Sequence, residues 1–599
     1  MPQPYHDWPE IDVGGSPLSD SLERLLEQVV VDLHQHLPNM FAIAFHDPDR
    51  DILGQLGGDI GSTIAIKYAP PGGGATQTLI KGEITGLEAE YDAARGRTTL
   101  RGYDVSHRLH RGRRTETYKN VTDSDIARKV ANRASLTIGQ IDSTSGTFDH
   151  VSQANQSDWD FLKSRAREIG YELTMDDGKF NFRRPIQASG APQPGDYQNN
   201  ANPLQLVFGD DLIEFRPRIT SAEQVSSINV RGWDPEQKQL VLGSAQPGTV
   251  AASVQKDPSS LAGTFGGQTY TAVDRPLAQQ GQVDAVAASI AEVIASAFAE
   301  ADGVARGNPS LKAGATVSIG VVGAQFEGQY TLSEARHIFN ENGYRTHFVI
   351  SGRQDRSLLG LASVGASNGH ASAGGAPING VVVALVTDNN DPNNEARVKL
   401  KFPWLDDNYE SDWARLTQLG AGPNSGAVWI PEVNDEVLVA FEFGDIRRPY
   451  VVGSLYNGQD TPNEGSGLFD NGKVKRRGFI SRKGHQFIFF DDSSKAGIAF
   501  ISSDGNLKIS LNETNSEIHI SSQGKVHVES QQDMTLESQG NLKLSAQQGI
   551  TLEAQTNLDL KGGSGATLDG GPQLEVKASG QLKVTGAMVD VNSGALQVM

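Results

Sequence analysis

The chain has 599 residues, which at about 150 residues per domain suggests roughly four domains. Glycine is abundant, with 66 residues, and aromatic residues make up only 7% of the chain, a composition typical of mainly β structure with many turns. The formal net charge of −20 repels phosphate backbones and argues against nucleic-acid binding, and the absence of cysteine excludes disulfides, thiol catalysis and cysteine metal sites.

The first residues carry no pattern of an export signal. Residues 1–15 are polar and contain three prolines, so they lack the basic and apolar regions of a secretory signal. No run in the chain approaches the roughly 18 apolar residues of a membrane-spanning helix. We therefore expect that export, where it occurs, uses a route that reads no N-terminal signal.

Two histidines form the first candidate metal site. His34 and His36 lie two residues apart in VVVDLHQHLP, and Asp32 shares their spacing, so one strand face could carry all three. Ligands spread along a single strand are too far apart to close a tetrahedral site. We therefore interpret them as a solvated face and predict no metal ion and no cofactor for the chain.

Two helices are predicted in the first part of the chain. The segment 158–170 starts at a capping Asp158, ends at Gly170 and carries an apolar stripe. The alanine-rich segment 285–303 also carries apolar residues at helical spacing, and its acidic residues leave it no basic face for a membrane. We expect both helices to pack on β structure.

A compact β segment follows a small-residue run at 365–375, which marks a domain boundary. Short strand-like runs in about 80 residues predict a small barrel, for which an OB-fold is the natural candidate. The predicted strands are 380–387, 397–402, 413–419, 436–443 and 450–455.

Three short motifs have both a functional and a structural interpretation. DNNDPNNE at 388–395 is rich in oxygen ligands but lacks the glycine and the distal glutamate of a calcium loop, so a hairpin turn explains it better. PPGGG at 70–74 lacks the continuation of a phosphate loop. The basic run KVKRRG at 473–478 is interpreted as solvated or as a contact between subunits.

The most regular feature is an eight-residue repeat near the C-terminus. An apolar residue recurs at every eighth position, a second follows two residues later, and a polar residue stands between them. This is the period of a strand with one buried face, and hairpins would not hold such a register over consecutive units. The repeat predicts a β-helix needle whose core positions are Val526, Val528, Met534, Leu536, Leu542, Leu544, Ile550, Leu552, Leu558, Leu560, Leu568, Leu574, Val576, Leu582 and Val584.

A needle of this length is expected to need more than one chain. One chain with about ten strands would make only a few coils and would leave strand edges exposed, which is an aggregation hazard. Association about a threefold axis removes the edges, because each chain then supplies every third strand. We therefore predict a homotrimer with a stiff needle roughly 5 nm long.

Several stretches resemble one known family. ARVKLKFPW at 396–404, WARL at 413–416 and IPEVNDEVLVAFEFGDIRRPYVVGSLYN at 430–457 resemble the OB domain of the VgrG family, the spikes of type VI secretion systems and related phage-like injection particles. LRGYDVSHRLHRGRRTETYKN at 100–120 and DWDFLKSRAREIGYEL at 158–173 resemble the hub domain of VgrG and phage tail proteins.

The resemblance implies a mainly β fold in four parts. These are a double β-barrel hub over 1–375, an OB-fold barrel over 376–460, a linker over 461–486, and a trimeric, triple-stranded β-helix needle over 487–599. The implied function is that of the central spike and baseplate hub of a phage-tail-like contractile injection system. Such a spike is assembled in the bacterial cytoplasm and delivered outward.

The resemblance also implies partners. The hub would join an inner tube and baseplate proteins, the needle would meet a target membrane mechanically, and effector cargo is a further partner that the family allows. The end formed by Leu596, Gln597, Val598 and Met599 of three chains would be an apolar platform, which a PAAR-repeat tip protein caps in the family.

We expect no enzymatic activity. The chain contains no G-x-S-x-G elbow and no evident acid–base pair of carboxylates. About 30 residues separate the OB segment from the needle, too few for the lysozyme domain that some phage spikes carry. The alternatives are a trimeric tail fibre or adhesin, which would need a receptor-binding head after the repeat, and a peptidoglycan-cleaving tail spike.

Overall fold

The computed structural model describes residues 8–70, 75–92, 96–198, 202–273, 275–356, 378–462, 467–492 and 494–591. It divides into two compact units, Met1–Gly465 and Ser466–Met599. The chain is mainly β, as its composition predicts. Among the described residues, no helix is long and apolar enough to cross a bilayer.

The first unit begins with long antiparallel strands. Two short helices, α1 Asp20–Glu23 and α2 Ile52–Leu56, interrupt them. The strands are β1 Glu10–Val13, β2 Ser16–Pro17, β3 Leu26–His34, β4 Met40–His46, β5 Thr63–Tyr68, β6 Gln77–Tyr91, β7 Gly96–Asp104 and β8 Arg114–Val121.

Shorter strands and four helices follow up to residue 350. The helices are α3 Asp123–Arg133, α4 Asp158–Glu168, α5 Pro258–Gly263 and α6 Gln280–Ser296. The strands are β9 Thr137–Ile141, β10 Phe148–Gln156, β11 Glu172–Asp176, β12 Lys179–Arg183, β13 Gln205–Val207, β14 Leu212–Ile219, β15 Ser227–Asp234, β16 Gln239–Ala245, β17 Ala252–Val254, β18 Thr269–Ala272, β19 Ala299–Arg306, β20 Thr316–Gly320, β21 Gly328–Thr331, β22 Glu334–Asn340 and β23 Gly343–Ile350.

One large sheet joins the beginning of the chain to residues 299–350. Its strand order among the described residues is β14-β19-β23-β22-β3-β4-β7-β6-β5-β1-β2. Strand β3 alternates buried and half-buried residues, and its inward side chains Val29 and Val31 are fully buried. The same unit contains the smaller sheets β10-β8, β11-β12-β9, β13-β20-β21-β17 and β16-β15-β18. The predicted pair of hub barrels stays a prediction.

Helix α4 lies where the sequence predicts a helix, but its cap is different. The Oγ of Ser157 accepts a hydrogen bond from the backbone N–H of Asp160, so Ser157 is the N-cap and the expected Asp158 is the first helical residue. Asp158 instead accepts a hydrogen bond from Arg133 at 2.7 Å. Gly170 follows the helix with φ of 70°, the left-handed conformation that ends helices.

Helix α6 is shorter than the alanine pattern predicts. It covers Gln280–Ser296, and the remainder of the predicted helix 285–303 becomes strand β19. Strand β19 pairs with both β14 and β23, and Ala299, Ala301 and Ala305 alternate on its buried side. In this segment, burial of every second side chain in the large sheet therefore outweighs the helical propensity of alanine.

The OB segment forms a five-stranded sheet in the order β25-β24-β29-β30-β26. Its strands are β24 Val381–Asp388, β25 Lys399–Lys401, β26 Arg415–Leu416, β29 Glu436–Phe441 and β30 Pro449–Ser454, and a small hairpin of β27 Ala421–Gly422 and β28 Ser425–Gly426 lies between them. Each of the five predicted strands contains one of these sheet strands or overlaps it. Val437, Val439 and Phe402 lie at the centre of its buried core.

The second unit begins with short strands and an antiparallel meander. The strands are β31 Phe469–Asp470, β32 Lys473–Val474, β33 Arg476–Ile480, β34 Gln486–Asp492, β35 Lys495–Ile501, β36 Leu507–Asn512 and β37 Glu517–Ser522. Strands β31 to β33 therefore fall in the segment 461–486, which the sequence predicts as a linker. The meander runs in the order β33-β34-β35-β36-β37.

Candidate functional site

The meander of the second unit has one continuous apolar face. Its register places Phe479 opposite Phe487, Phe487 opposite Phe500, Phe500 opposite Ile509, and Ile509 opposite Ile520. Because strand side chains alternate between faces, the neighbouring row of Phe489, Ile498, Leu511 and Ile518 lies on the same side. We call these two rows, together with Leu507, the apolar face.

The aromatic side chains of the apolar face stack across strands. Within β34, Phe489 lies 4.9 Å from Phe487, and across strands the rings of Phe487 and Phe500 lie parallel with centroids 4.5 Å apart. Such pairs stabilise neighbouring strands beyond the area that they bury. The same face stays uncovered in the single chain, since Phe500 is 53% exposed and Ile518 73% exposed.

The eight-residue repeat continues this exposure to the end of the described residues. Every predicted core position of the needle is more than half exposed in the single chain, from Met534 at 51% to Leu568 at 72%. The described residues 523–591 form no strand within the single chain. The predicted needle core therefore stays a prediction, and Leu596, Gln597, Val598 and Met599 lie outside the described residues.

Charged residues around the meander pair within the second unit. Lys475 lies 2.9 Å from Asp492 and 3.1 Å from Asp470, and Arg477 contacts Asp491. These pairs belong to the run KVKRRG, which the sequence left open as solvated or as an inter-subunit contact. The structure therefore places part of the run in ion pairs across adjacent strands.

The candidate histidine site of the first unit is occupied by protein contacts. His34 uses both ring nitrogens, since Nε2 lies 2.8 Å from a Glu334 oxygen and Nδ1 accepts a hydrogen bond from the backbone N–H of His36. Asp32 pairs with Arg336. The predicted solvated face is therefore wrong, because β22 lies alongside β3 and supplies these partners.

His36 differs from its neighbour. Its Nε2 is buried and has no hydrogen-bond partner, and burial, with Lys163 nearby, lowers the pKa of His36 well below its ordinary value. A neutral imidazole is the form that this position favours. Among the described residues, no three His, Asp or Glu side chains come close enough to hold a metal ion.

The oxygen-rich loop after β24 is organised by an arginine. The guanidinium of Arg397 donates to both carboxylate oxygens of Asp391, at 2.7 and 3.1 Å, and the backbone N–H of Glu395 donates to the same carboxylate. These bonds hold the pKa of Asp391 below its usual range. The cation that balances Asp391 is therefore a side chain of the loop itself, which agrees with the interpretation as a turn.

The hub segment and the OB segment meet through a buried arginine that the sequence analysis did not identify. Arg447 donates to Asp445 at 2.7 Å within its own turn and to Glu168 at the end of α4 at 3.3 Å. Asp445 and Glu168 raise the pKa of Arg447 despite its burial. Arg447 lies inside the motif GDIRRP, but no local pattern indicates a partner 279 residues away.

Comparisons with known proteins agree with the resemblance seen in the sequence. Residues 382–456 match the type VI secretion system/phage-baseplate injector OB domain family, and residues 484–595 match DUF2345, described as an uncharacterised protein conserved in bacteria. Residues 61–341 match the Alg8 N-terminal domain family.

Curated relatives match over short stretches. The type VI secretion system spike protein VgrG1c of Pseudomonas aeruginosa is 39% identical over 69 residues, which are 11% of this chain and 10% of that protein. The spike protein VgrG3 of Vibrio cholerae is 39% identical over 75 residues, 12% of this chain and 7% of that protein. The chain thus matches about a tenth of the length of these relatives or less.

A solved structure extends the likeness to the overall fold. A chain of the Francisella PdpA–VgrG complex aligns with a TM-score of 0.51 and 9% identity, covering 86% of this chain and 89% of that chain. At this identity the likeness concerns the fold alone. The matches to the injector OB domain, to DUF2345 and to the spike proteins make the chain similar to VgrG proteins of the type VI secretion and phage-tail group.

Proposed function

We propose that this protein is the trimeric central spike and baseplate hub of a contractile injection system. The observation that carries the proposal is the uncovered apolar surface of the second unit, which comprises the apolar face and the repeat positions that follow it. Monomeric proteins rarely leave so many large aliphatic side chains in water, and such surfaces usually belong to an interface.

The repeat favours identical chains as the cover. Each apolar residue that moves from water into a core contributes about 1.5–3 kcal/mol, so the exposed repeat positions offer a large driving force for association. A repeat of constant period presents the same surface at every unit, and copies of the same chain are the partners whose period matches it. A closed threefold arrangement also leaves no strand edge open.

The names of the relatives support the mechanical part of the proposal. VgrG1c and VgrG3 are named as type VI secretion system spike proteins, and the family that matches the OB segment is named for a phage-baseplate injector. By analogy, the hub would join the inner tube and the baseplate, and contraction would drive the stiff needle against a target membrane. A PAAR-repeat tip protein and effector cargo are proposed as further partners, with delivery to the cell exterior.

We further propose that the chain acts without catalysis. Both ring nitrogens of His34 are engaged in protein contacts, and Asp391 is balanced by Arg397. Zymography on peptidoglycan with the purified full chain should give no clearing. A clear band that is lost on denaturation would contradict this part of the proposal and favour a peptidoglycan-cleaving spike.

Electron microscopy of the purified full chain tests the architecture. The proposal predicts a threefold-symmetric body from which one slender rod projects along the axis. A population of single-chain particles, or a body that carries three separate thin extensions, would contradict it. Adding a purified PAAR-repeat protein should place extra density at the free end of the rod.

A further inference from the structure

A pocket of about 270 Å³ lies in the first unit, where the β16-β15-β18 sheet meets the OB segment. On the side of the β16-β15-β18 sheet, β15 and the residues after β18 line the pocket. On the side of the OB segment, β26 and the turn before β30 line it. The pocket shares no residue with the apolar face of the second unit.

The pocket is rich in arginine, although the chain as a whole is acidic. Arg231, Arg275, Arg415, Arg447 and Arg448 line it, against two carboxylates. The whole chain has 52 basic and 72 acidic residues, so the local balance of charge is the reverse of the overall one. A positive pocket in an acidic protein selects anionic groups.

Arg231 and Arg275 are the least engaged of these guanidinium groups, whereas the charge of Arg448, like that of Arg447, acts on Asp445. No ion pair engages Arg231, Arg275 or Arg448 in the described part of the chain, and Nε of Arg275 is buried without a hydrogen-bond partner. Arg447, by contrast, is bound to Asp445 and Glu168, and Arg415 stacks on the ring of Tyr450 at 5.7 Å. A buried N–H donor without an acceptor is costly, and a bound anion would supply the missing acceptor.

The two carboxylates do not neutralise the pocket. Glu442 accepts a hydrogen bond from the hydroxyl of Tyr450 at 3.2 Å, and Asp412 accepts one from the backbone N–H of Trp413. Neither makes an ion pair with a pocket arginine in the part of the chain that the structure describes. The excess positive charge therefore remains available to a ligand.

Exposed apolar side chains border the arginines. Trp233 is 50% exposed and Val273 56% exposed, and Trp233 pairs across the strands with Leu240, which is also half exposed. Tryptophan and arginine are the residue types that dominate protein–protein contact sites. The combination suits a peptide with acidic and apolar side chains better than a small anion.

Phe443 supplies an independent observation at the pocket wall. It has φ of 53°, a left-handed conformation in which a bulky side chain is strained, and its ring is 58% exposed. A glycine would adopt this backbone freely and would give up only the minor buried part of the ring. Strain that holds an aromatic ring in water, beside unpaired arginines, points to a ring kept for contact with a ligand.

From these observations we infer that the pocket between β15 and the OB segment binds an acidic peptide segment of a partner protein. Arg231, Arg275 and Arg448 hold carboxylates of the segment through charge-assisted hydrogen bonds, and Trp233 and Phe443 pack against its apolar side chains. The inference does not depend on the needle or on its trimer, so the two proposals can fail separately.

The test is fluorescence anisotropy with the full chain and a labelled peptide of alternating glutamate and tryptophan. The peptide should bind, and a peptide of alternating lysine and tryptophan should not. Arg231→Glu and Arg275→Glu should each weaken binding about tenfold or more, since a charge-assisted contact is lost and a repulsion replaces it. Arg345→Glu, on an exposed position of β23 outside the pocket, is the matched control and should leave binding within about twofold.

Phe443→Gly separates a binding role from a structural one. This variant removes the ring and relieves the backbone, so it should keep the melting temperature or raise it while binding weakens several-fold. A fall in both would mean that the ring supports the fold, which contradicts the inference. Arg231 occupies a solvent-exposed strand position, so Arg231→Glu should fold. Its loss of peptide binding can therefore be measured even where Arg275→Glu fails to fold.

Three further outcomes would overturn the inference. One is equal loss of peptide binding in Arg345→Glu, which would indicate a general effect of charge. Another is displacement of the peptide by inorganic phosphate, with Phe443→Gly binding normally, which would indicate a site for small anions. The third is a change in the oligomeric mass of Arg231→Glu, which would show that a second copy of the chain fills the pocket.

Discussion

The OB segment and the C-terminal repeat carry the same alternation of apolar and polar residues but bury it to opposite extents. In β29 the alternating Val437 and Val439 are fully buried, because other core side chains of the same chain pack on them. In the repeat the alternating Leu542 and Leu544 are 61% and 62% exposed. The alternation therefore predicts a strand with one apolar face, but it does not tell whether the same chain or another chain covers that face.

The largest effect is expected from a charge in the repeat. Leu544→Asp should abolish the assembled form, because each of three chains would place a carboxylate in the proposed core and burying unpaired charges costs several kcal/mol each. Sedimentation velocity should show loss of the trimer. Lys543→Asp, one residue earlier on the polar face, should remain a trimer. If both variants stayed trimeric or both dissociated, the repeat positions would not be buried in the proposed core.

A buried aromatic of the OB core tests the other side of the comparison. Phe402 is fully buried, with the rings of Tyr409 and Phe441 within 5.6 Å. Phe402→Ala should cost about 3–5 kcal/mol of unfolding free energy through the cavity that it leaves. Because this core is complete within one chain, the loss measured by chemical denaturation should not change with protein concentration.

Trp404 offers a matched control for that measurement. It belongs to the same aromatic cluster, 5.9 Å from Phe402, but is half exposed. Trp404→Ala should therefore cost about 1 kcal/mol or less. A cost as large as that of Phe402→Ala would mean that another surface covers Trp404 in the assembled protein.

The pH dependence should distinguish the two units. His337 is fully buried in β22, and this burial lowers its pKa to about 3. In the unfolded chain this histidine takes up a proton near its ordinary pKa of about 6.5, whereas in the folded chain it stays neutral. The folding free energy is therefore fully present at neutral pH and decreases as the pH falls from about 6.5. From about pH 7 to about pH 5 the first unit should lose about 2 kcal/mol from this residue.

Replacement of the histidine checks that assignment. His337→Gln should flatten the pH dependence of the melting temperature over the same range, at some cost in stability at neutral pH because His337 Nδ1 is bonded to the hydroxyl of Tyr344. An unaltered profile in His337→Gln would show that other groups carry the acid sensitivity.

The smallest effect is expected at the cap of α4. Ser157→Ala should cost about 1 kcal/mol, since the N–H of Asp160 loses its acceptor. Thermal unfolding of the first unit measures the change. Ser157→Asp restores a capping oxygen and should recover most of the loss, and failure to recover it would argue against the cap.

The sequence predicted those parts of the fold that local patterns determine. The OB strands and α4 lie where periodicity and turn residues indicate, because each buries its apolar stripe within a short stretch of chain. The predicted end of α6 was wrong, because Ala299–Arg306 pairs with β14 and β23, which lie far away in the sequence.

The candidate site was only partly predictable for the same reason. The repeat was found by its period, and the start of the needle at residue 487, ahead of the meander, stays a prediction. Ser502, Asp504 and Gly505 mark a hairpin turn between β35 and β36. The contacts of His34 with Glu334 and of Arg447 with Glu168 join distant parts of the chain. No spacing within a short window could reveal them.

The central claim is that the apolar surface of the second unit is covered by two further copies of the chain. Absolute mass in solution, measured by light scattering over a range of concentrations, tests it most directly. Coverage by two further copies should give a single species at three times 64.2 kDa that persists on dilution. A soluble, monodisperse species of 64.2 kDa would contradict it, because the exposed repeat would then be stable in water without a partner.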